Sequence, residues 1–274
     1  MRIRTAALSC ALVALAAVPL LSHDFWLVPL GPVVAPGAEL VVHGQTGSNF
    51  PGTLSAVTVD RIASARILTS TGEEKVNALA VSGNSLRLSH RPGARGQAVV
   101  EAAVHPRTLR ESPASFRRYL TLEGAPEALE RYERAGLMPT DSITRRYAKY
   151  AKALVEVGDG GPRAFQRRAG HPLEFVPVTD PAAAANGATL RLRMLFGGQP
   201  LAHARGHASV AAGVASDSAF HTAEFETDAK GEFTLAIAGK GLWNVRALHI
   251  VPAPKGSGAD WDVHWATLVW WSTR

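Results

Sequence analysis

Between Phe25 and about Val104 the apolar residues come in short runs that alternate with polar ones and stop at turn formers. Pro36-Gly37 stands before Glu39-Leu40-Val41-Val42, and Asn49-Phe50-Pro51-Gly52 follows it. Thr53 to Val59 alternates Leu54, Ala56 or Val57, and Val59 with polar partners, as a half-buried strand does. Ser70-Thr71-Gly72-Glu73, Ser82-Gly83-Asn84 and Arg91-Pro92-Gly93 punctuate what comes next. Strands this short and evenly spaced predict an antiparallel sandwich or barrel.

The period changes at Glu111. Ser112-Pro113 fits a helix start, with Phe116, Tyr119 and Leu120 at three- and four-residue spacing, and Pro126 opens a second candidate that stops near Gly136. Asp141 suits the cap of a third, on which Ile143, Tyr147, Tyr150, Ala151 and Leu154 form one apolar stripe up to Gly158. Arg145, Arg146, Lys149 and Lys152 then make a solvated basic face. Gly158-Asp159-Gly160-Gly161-Pro162 lacks the lysine-threonine ending and the flanking strand and helix of a phosphate loop, so it reads as a flexible break.

The strand-like run Leu173 to Val178 and the low-complexity segment Pro181 to Gly187 lead to renewed alternation from about Ala188, with Leu190, Leu192 and Met194 against Arg191 and Arg193. Gly197-Gly198 supplies a hairpin turn, and Thr227-Asp228-Ala229-Lys230-Gly231 turns into Glu232 to Ile237. The predicted fold class is mainly β: two antiparallel β-sandwich domains, 23–110 and 188–274, with a helical insert over 111–158 and a linker with a connecting strand over 159–187. The second core should hold Leu192, Met194, Val210, Phe233, Leu235, Trp243, Val245 and Leu268.

Arg2 and Arg4 precede an apolar run, Ala6 to Leu21, that is shorter than the roughly 20 residues of a membrane span and suits a signal peptide over 1–22. The protein is therefore expected to be periplasmic or secreted, with no stable membrane span once the signal is removed. Ala14-Leu15-Ala16 is one cleavage match; Leu20-Leu21-Ser22 is another, and cutting there makes His23 the new terminus. The single cysteine, Cys10, lies inside the signal, so disulfide and thiolate chemistry are absent from the mature chain. A formal net charge of +6 without a recognition motif does not argue for nucleic acid.

Gly198-Gln199-Pro200-Leu201-Ala202, Thr227 to Phe233 and Gly241-Leu242-Trp243-Asn244-Val245 resemble the transthyretin-like or carboxypeptidase-regulatory-like sandwich. His23-Asp24-Phe25-Trp26-Leu27, Asn49 to Gly52, Arg145 to Lys152, Gly170 to Pro177 and the tryptophan strand ending in His249 resemble, in that order, an exported bacterial family of unknown function. Some members of it are associated with nickel or cobalt uptake, which implies a periplasmic component working with a membrane metal-transport complex.

The chemistry-bearing residues agree with a metal. An N-terminal His23 offers its amine and one ring nitrogen to the same ion, and one further imidazole completes the planar three-nitrogen set that copper(II) or nickel(II) favours. His249 and His264 are the candidates for that imidazole, His249 first because the tryptophan strand ends there, and Asp24 is a weak ligand or an outer acceptor. Such binding should fade below about pH 6 as imidazole takes up protons. His203 and His207 are four residues apart, over ~12 Å along a strand, too far for one ion, and read as exposed loop residues. No nucleophile elbow, His-Glu-x-x-His motif or suggestive carboxylate pair occurs, so enzyme activity is not expected. The rivals are a carbohydrate-binding or adhesive protein and a copper histidine-brace monooxygenase. For the monooxygenase Trp261, Trp265, Trp270 and Trp271 would supply a sugar-binding face, although tryptophans alternating on a terminal strand are more often core.

Overall fold

The computed structural model describes residues 23–123, 125–214 and 221–273, so the expected signal peptide over 1–22 lies outside the described residues. The chain is mainly β: of the described residues, 52% are in strands and 10% in helical conformation, which includes two α-helices. Its first part runs through β1 (Asp24–Pro29), β2 (Val33–Val34), β3 (Leu40–Gly47), β4 (Ser55–Ala56), β5 (Ile62–Leu68), β6 (Glu73–Lys75), β7 (Ala78–Ser82), β8 (Ser85–His90) and β9 (Gly96–Glu111). Helices α1 (Pro113–Leu122) and α2 (Pro126–Arg134) lead into β10 (Ile143–Val157) and β11 (Leu173–Pro177). The last part holds β12 (Thr189–Phe196), β13 (Gln199–Pro200), β14 (Arg205–Ala211), β15 (His221–Glu226), β16 (Glu232–Ala236), β17 (Gly241–Pro252) and β18 (Trp261–Ser272).

Strands from both ends of the chain share one nine-stranded sheet, ordered β15-β14-β17-β18-β10-β9-β5-β6 with β2 beside β10. Its centre is a parallel pairing of β10 with β18, from Arg145↔Trp261 to Ala153↔Val269. A parallel pair requires a crossover, and here the crossover is everything from β11 to β17. A five-stranded sheet, β1-β3-β8-β7 with β4 on β3, packs against one face of the central sheet through Phe25, Leu27, Leu88, Val100, Ala151 and Val269. The helices cover another part of that face through Phe116, Leu120, Tyr132, Trp261 and Trp265. On the opposite face lies a four-stranded sheet, β11-β12-β13 with β16 on β12, joined through Phe175, Met194, Phe233, Val245, Leu268 and Trp270. Every residue expected in the second core is buried there except Val210, which is partly buried.

Two expectations are corrected. The third helix is strand β10, and the helical segment is only α1 and α2. A central strand is covered on both sides, so it shows no alternation of apolar and polar positions. Ala148, Tyr150 and Leu154 fill one side while Ala151, Ala153 and Val155 fill the other, and the helical spacing in that run is coincidental. The expected strand over Thr53 to Val59 shrinks to Ser55–Ala56, with Leu54 58% exposed.

Candidate functional site

The start of β1 is held against the central sheet by its buried run Phe25-Trp26-Leu27-Val28. Thr267 on β18 donates its hydroxyl to the Phe25 carbonyl at 2.7 Å, and Trp271 donates its indole N–H to the Pro29 carbonyl at 3.1 Å. These contacts fix where His23 and Asp24 sit. The Lys149 ammonium donates to the His23 carbonyl. Asp24, 5% exposed, meets the Arg246 guanidinium at 3.4 Å, and Arg246 reaches Glu123 at 3.6 Å. Burial raises the Asp24 carboxyl, partly offset by Arg246 and Lys149, and pushes Glu123 up to about 7. Burial also pushes the Lys149 ammonium down to about 8, and burial followed by the Lys149 charge lowers the His23 imidazole, which keeps that ring neutral at pH 7. His23 and His105 line a cleft of about 300 Å³ beside Lys149.

His249 and His264 are directly opposite each other on the antiparallel strands β17 and β18. Both are half-buried, and the Phe196 ring at the end of β12 packs edge-on against each, at centroid distances of 4.6 and 5.2 Å. The Tyr150 hydroxyl lies 3.2 Å from His264 Nδ1. Burial, followed by the neighbouring His264 and Arg131, pushes the His249 imidazole down to about 4, and burial lowers His264 as well. Both rings are neutral at pH 7 with lone pairs to offer. His249 also walls a cleft of about 280 Å³ between α2 and the Leu201 to Arg205 segment.

The structure thus forms two pairs where the sequence suggests one site. Successive residues of a strand face opposite sides of its sheet. Arg246, which holds Asp24, and His249 are three apart on β17, so they point to opposite faces. The N-terminal strand docks on the Arg246 side, and the central sheet stands between His23–Asp24 and His249–His264. The expected clamp of one ion between the two ends of the chain is therefore not formed. Among the described residues, no group of three or more His, Cys, Asp or Glu side chains is placed to hold a metal. The tryptophans are core: Trp261, Trp265 and Trp270 are 1%, 1% and 0% exposed, and Trp271 is partly buried against β1, so these four rings do not form an open face for a sugar. His203 is an exposed turn residue, whereas His207 lies within β14.

Sequence reasoning misses the charges inside the layers. Lys152, 1% exposed, donates to Glu174 at 3.2 Å and to the carbonyls of Phe175 and Arg167, while Glu174 also accepts the Ala169 N–H. Glu101, 0% exposed, accepts from Arg66 at 2.6 Å and lies 2.7 Å from His171 Nε2. The His171 ring stacks on Tyr150, which stacks on His264. The available signal is a charged residue in an otherwise apolar run, as Lys152 stands in Ala151 to Leu154 and Glu174 in Leu173 to Val176.

A family model described as "Domain of unknown function (DUF4198)" matches residues 20–251. No curated protein matches the chain. Among solved structures, the chain is similar to trypsin-activated alpha-2-macroglobulin from Escherichia coli, at 10% identity and a TM-score of 0.23 over 93% of this chain. It spans only 16% of that structure's length.

Proposed function

We propose, for a chain that belongs to the DUF4198 family, a binding function: an exported protein that captures a transition metal ion, nickel, cobalt or copper, and passes it to a membrane transport complex. The observation that carries this reading is the His249–His264 pair. Residues directly opposite on antiparallel strands have Cβ atoms ~4.5–5.5 Å apart, within reach of one ion for two imidazoles, and imidazole nitrogen suits these metals. With His264 Nδ1–H donating to the Tyr150 oxygen, the Nε2 lone pair is free for the ion, and the ring is oriented by that bond. The Tyr150 phenol is pushed up to about 12, chiefly by burial, and stays neutral as an acceptor. The remaining coordination positions fall to water or to a small ligand arriving with the ion, which suits capture and release better than permanent storage.

Two competing readings lose support. A sugar face built on Trp261, Trp265, Trp270 and Trp271 would use rings that pack in or against the core. A copper site on a free His23 amine would sit beside Lys149, Arg61 and Arg107, whose charges oppose a cation. Calorimetric titration of the full chain with nickel and copper tests the proposal. His249→Ala and His264→Ala should each weaken binding at least tenfold, about 1.4 kcal/mol, and His23→Ala should leave it unchanged. Equal affinity in both strand variants would sink the reading.

A further inference from the structure

We infer that the cleft at the start of β1 is a second binding site, one that takes a small, multiply charged oxyanion. The cleft measures about 300 Å³, at the lower end of what small-molecule sites occupy. Arg61, Arg107 and Lys149 converge on it together with His23, His105 and Tyr147, and its wall contains no Asp or Glu. Among the described residues none of those three cations has an ion-pair partner, although Arg66, Arg145, Arg146, Arg163 and Arg193 each hold a carboxylate within 3 Å. Three cations without an ion-pair partner among the described residues thus share one concave part of the surface.

The cations are also positioned. Arg61 Nη2 donates to the His105 carbonyl at 2.8 Å, which fixes the guanidinium and leaves its other N–H groups to give. Lys149 is pinned by one N–H to the His23 carbonyl and keeps two more. Arg107 is the register partner of Tyr147, on the strand pair that forms one wall. The carboxyls that act on Lys149, Asp24 and Glu123, lie against Arg246 and outside the cleft wall. Two guanidinium forks and an ammonium, with no carboxylate in the cleft wall, match the oxygens of a phosphate or a polycarboxylate, through charge-assisted hydrogen bonds that two or more negative charges would satisfy. Burial also depresses the Lys149 ammonium, and a bound anion would reverse that.

This site stands on the face opposite His249–His264 and does not depend on the metal reading. The test is calorimetry on the full chain, freed of metal by a chelating resin, with inorganic phosphate and with citrate as separate probes at pH 7 and low salt. At least one should bind, and the Arg61→Gln/Arg107→Gln variant should weaken it tenfold or more. His249→Ala and the control Arg117→Gln, on α1, should match the parent. Tighter phosphate than citrate points to a phosphorylated ligand; the reverse points to a polycarboxylate. No binding of either probe at millimolar concentration, or equal loss in the control, overturns the inference. Should the double variant fail to fold, the same anions must protect Lys149 from acetylation in the parent chain, and absence of protection is equally fatal.

Discussion

A histidine pressed against a second histidine and an aromatic ring does not titrate like one in water, and this sets how His249 should respond to acid. Its folded-state value of about 4 is below the ordinary 6.5, so between those two values the unfolded chain binds more protons than the folded one. Stability therefore rises with pH through this window and is lost as pH falls from about 6.5 toward 4. The contribution is on the order of 2 kcal/mol after allowance for the ring's partial exposure. Urea unfolding should show the parent losing that much more than His249→Gln between pH 7 and pH 4; parallel losses would contradict it. The same depression moves metal release downward, so capture should persist near pH 5, below the threshold expected of an unperturbed imidazole. The sequence shows His249 and His264 as ligand types but not as partners, because their pairing depends on where the β17–β18 hairpin turns. It shows His23-Asp24 as a motif, but not the face on which β1 docks, and that face alone separates it from the strand histidines.

At the scale of elements, β10 is where sequence pattern and structure diverge most. A run containing Arg145, Arg146, Lys149 and Lys152 looks like the wet side of a helix, yet Arg145 and Lys152 are 3% and 1% exposed. Paired charge makes that possible: Arg145 binds Glu111, and Lys152 binds Glu174 on β11. These partners are far apart in sequence or sit on other strands, so composition alone cannot supply them. The hairpins are legible because their requirement is local. Gly197 and Gly198 adopt φ of 56° and 78° in the β12–β13 turn, and Gly231 at 70° brings its backbone so close to Met194 O that a Cβ would stand 2.8 Å from it. Lys152→Met should cost roughly 3–5 kcal/mol, since it strands the Glu174 carboxylate between two sheets. Lys152→Met/Glu174→Leu should recover most of that in urea unfolding, because removing both charges removes the penalty; a double variant as unstable as the single one would mean that the pair also fixes the backbone around Ala169.

For the whole molecule, the decisive feature is that the central sheet belongs to both ends of the chain. The sequence marks a boundary near Ala188 through the alanine-rich segment Pro181 to Asn186. In the structure that segment is tied down: Pro181 is buried, and Asp180 accepts from Ala182 N–H and from Gln97 of β9 while pairing with Arg163. Low complexity is visible in a sequence, but the anchoring side chains on β9 are not, which is why the two ends look separable. Cutting there would remove β10 from the side of β18, opening the backbone hydrogen bonds from Trp261 to Val269, and would remove α1 and α2 from the rings of Trp261 and Trp265. It would also take β11 from the edge of β12 and Phe175 from its contacts with Phe225 and Phe233. An isolated sandwich with an open hydrophobic edge and uncovered tryptophans tends to aggregate rather than fold. The fragment 188–274 should accordingly be insoluble or lack near-ultraviolet circular dichroism, while the chain from His23 onward gives a strong tryptophan signal. A soluble fragment with native-like tryptophan dichroism would show that the C-terminal strands close their own core, and that the parallel β10–β18 seam adds little to their stability.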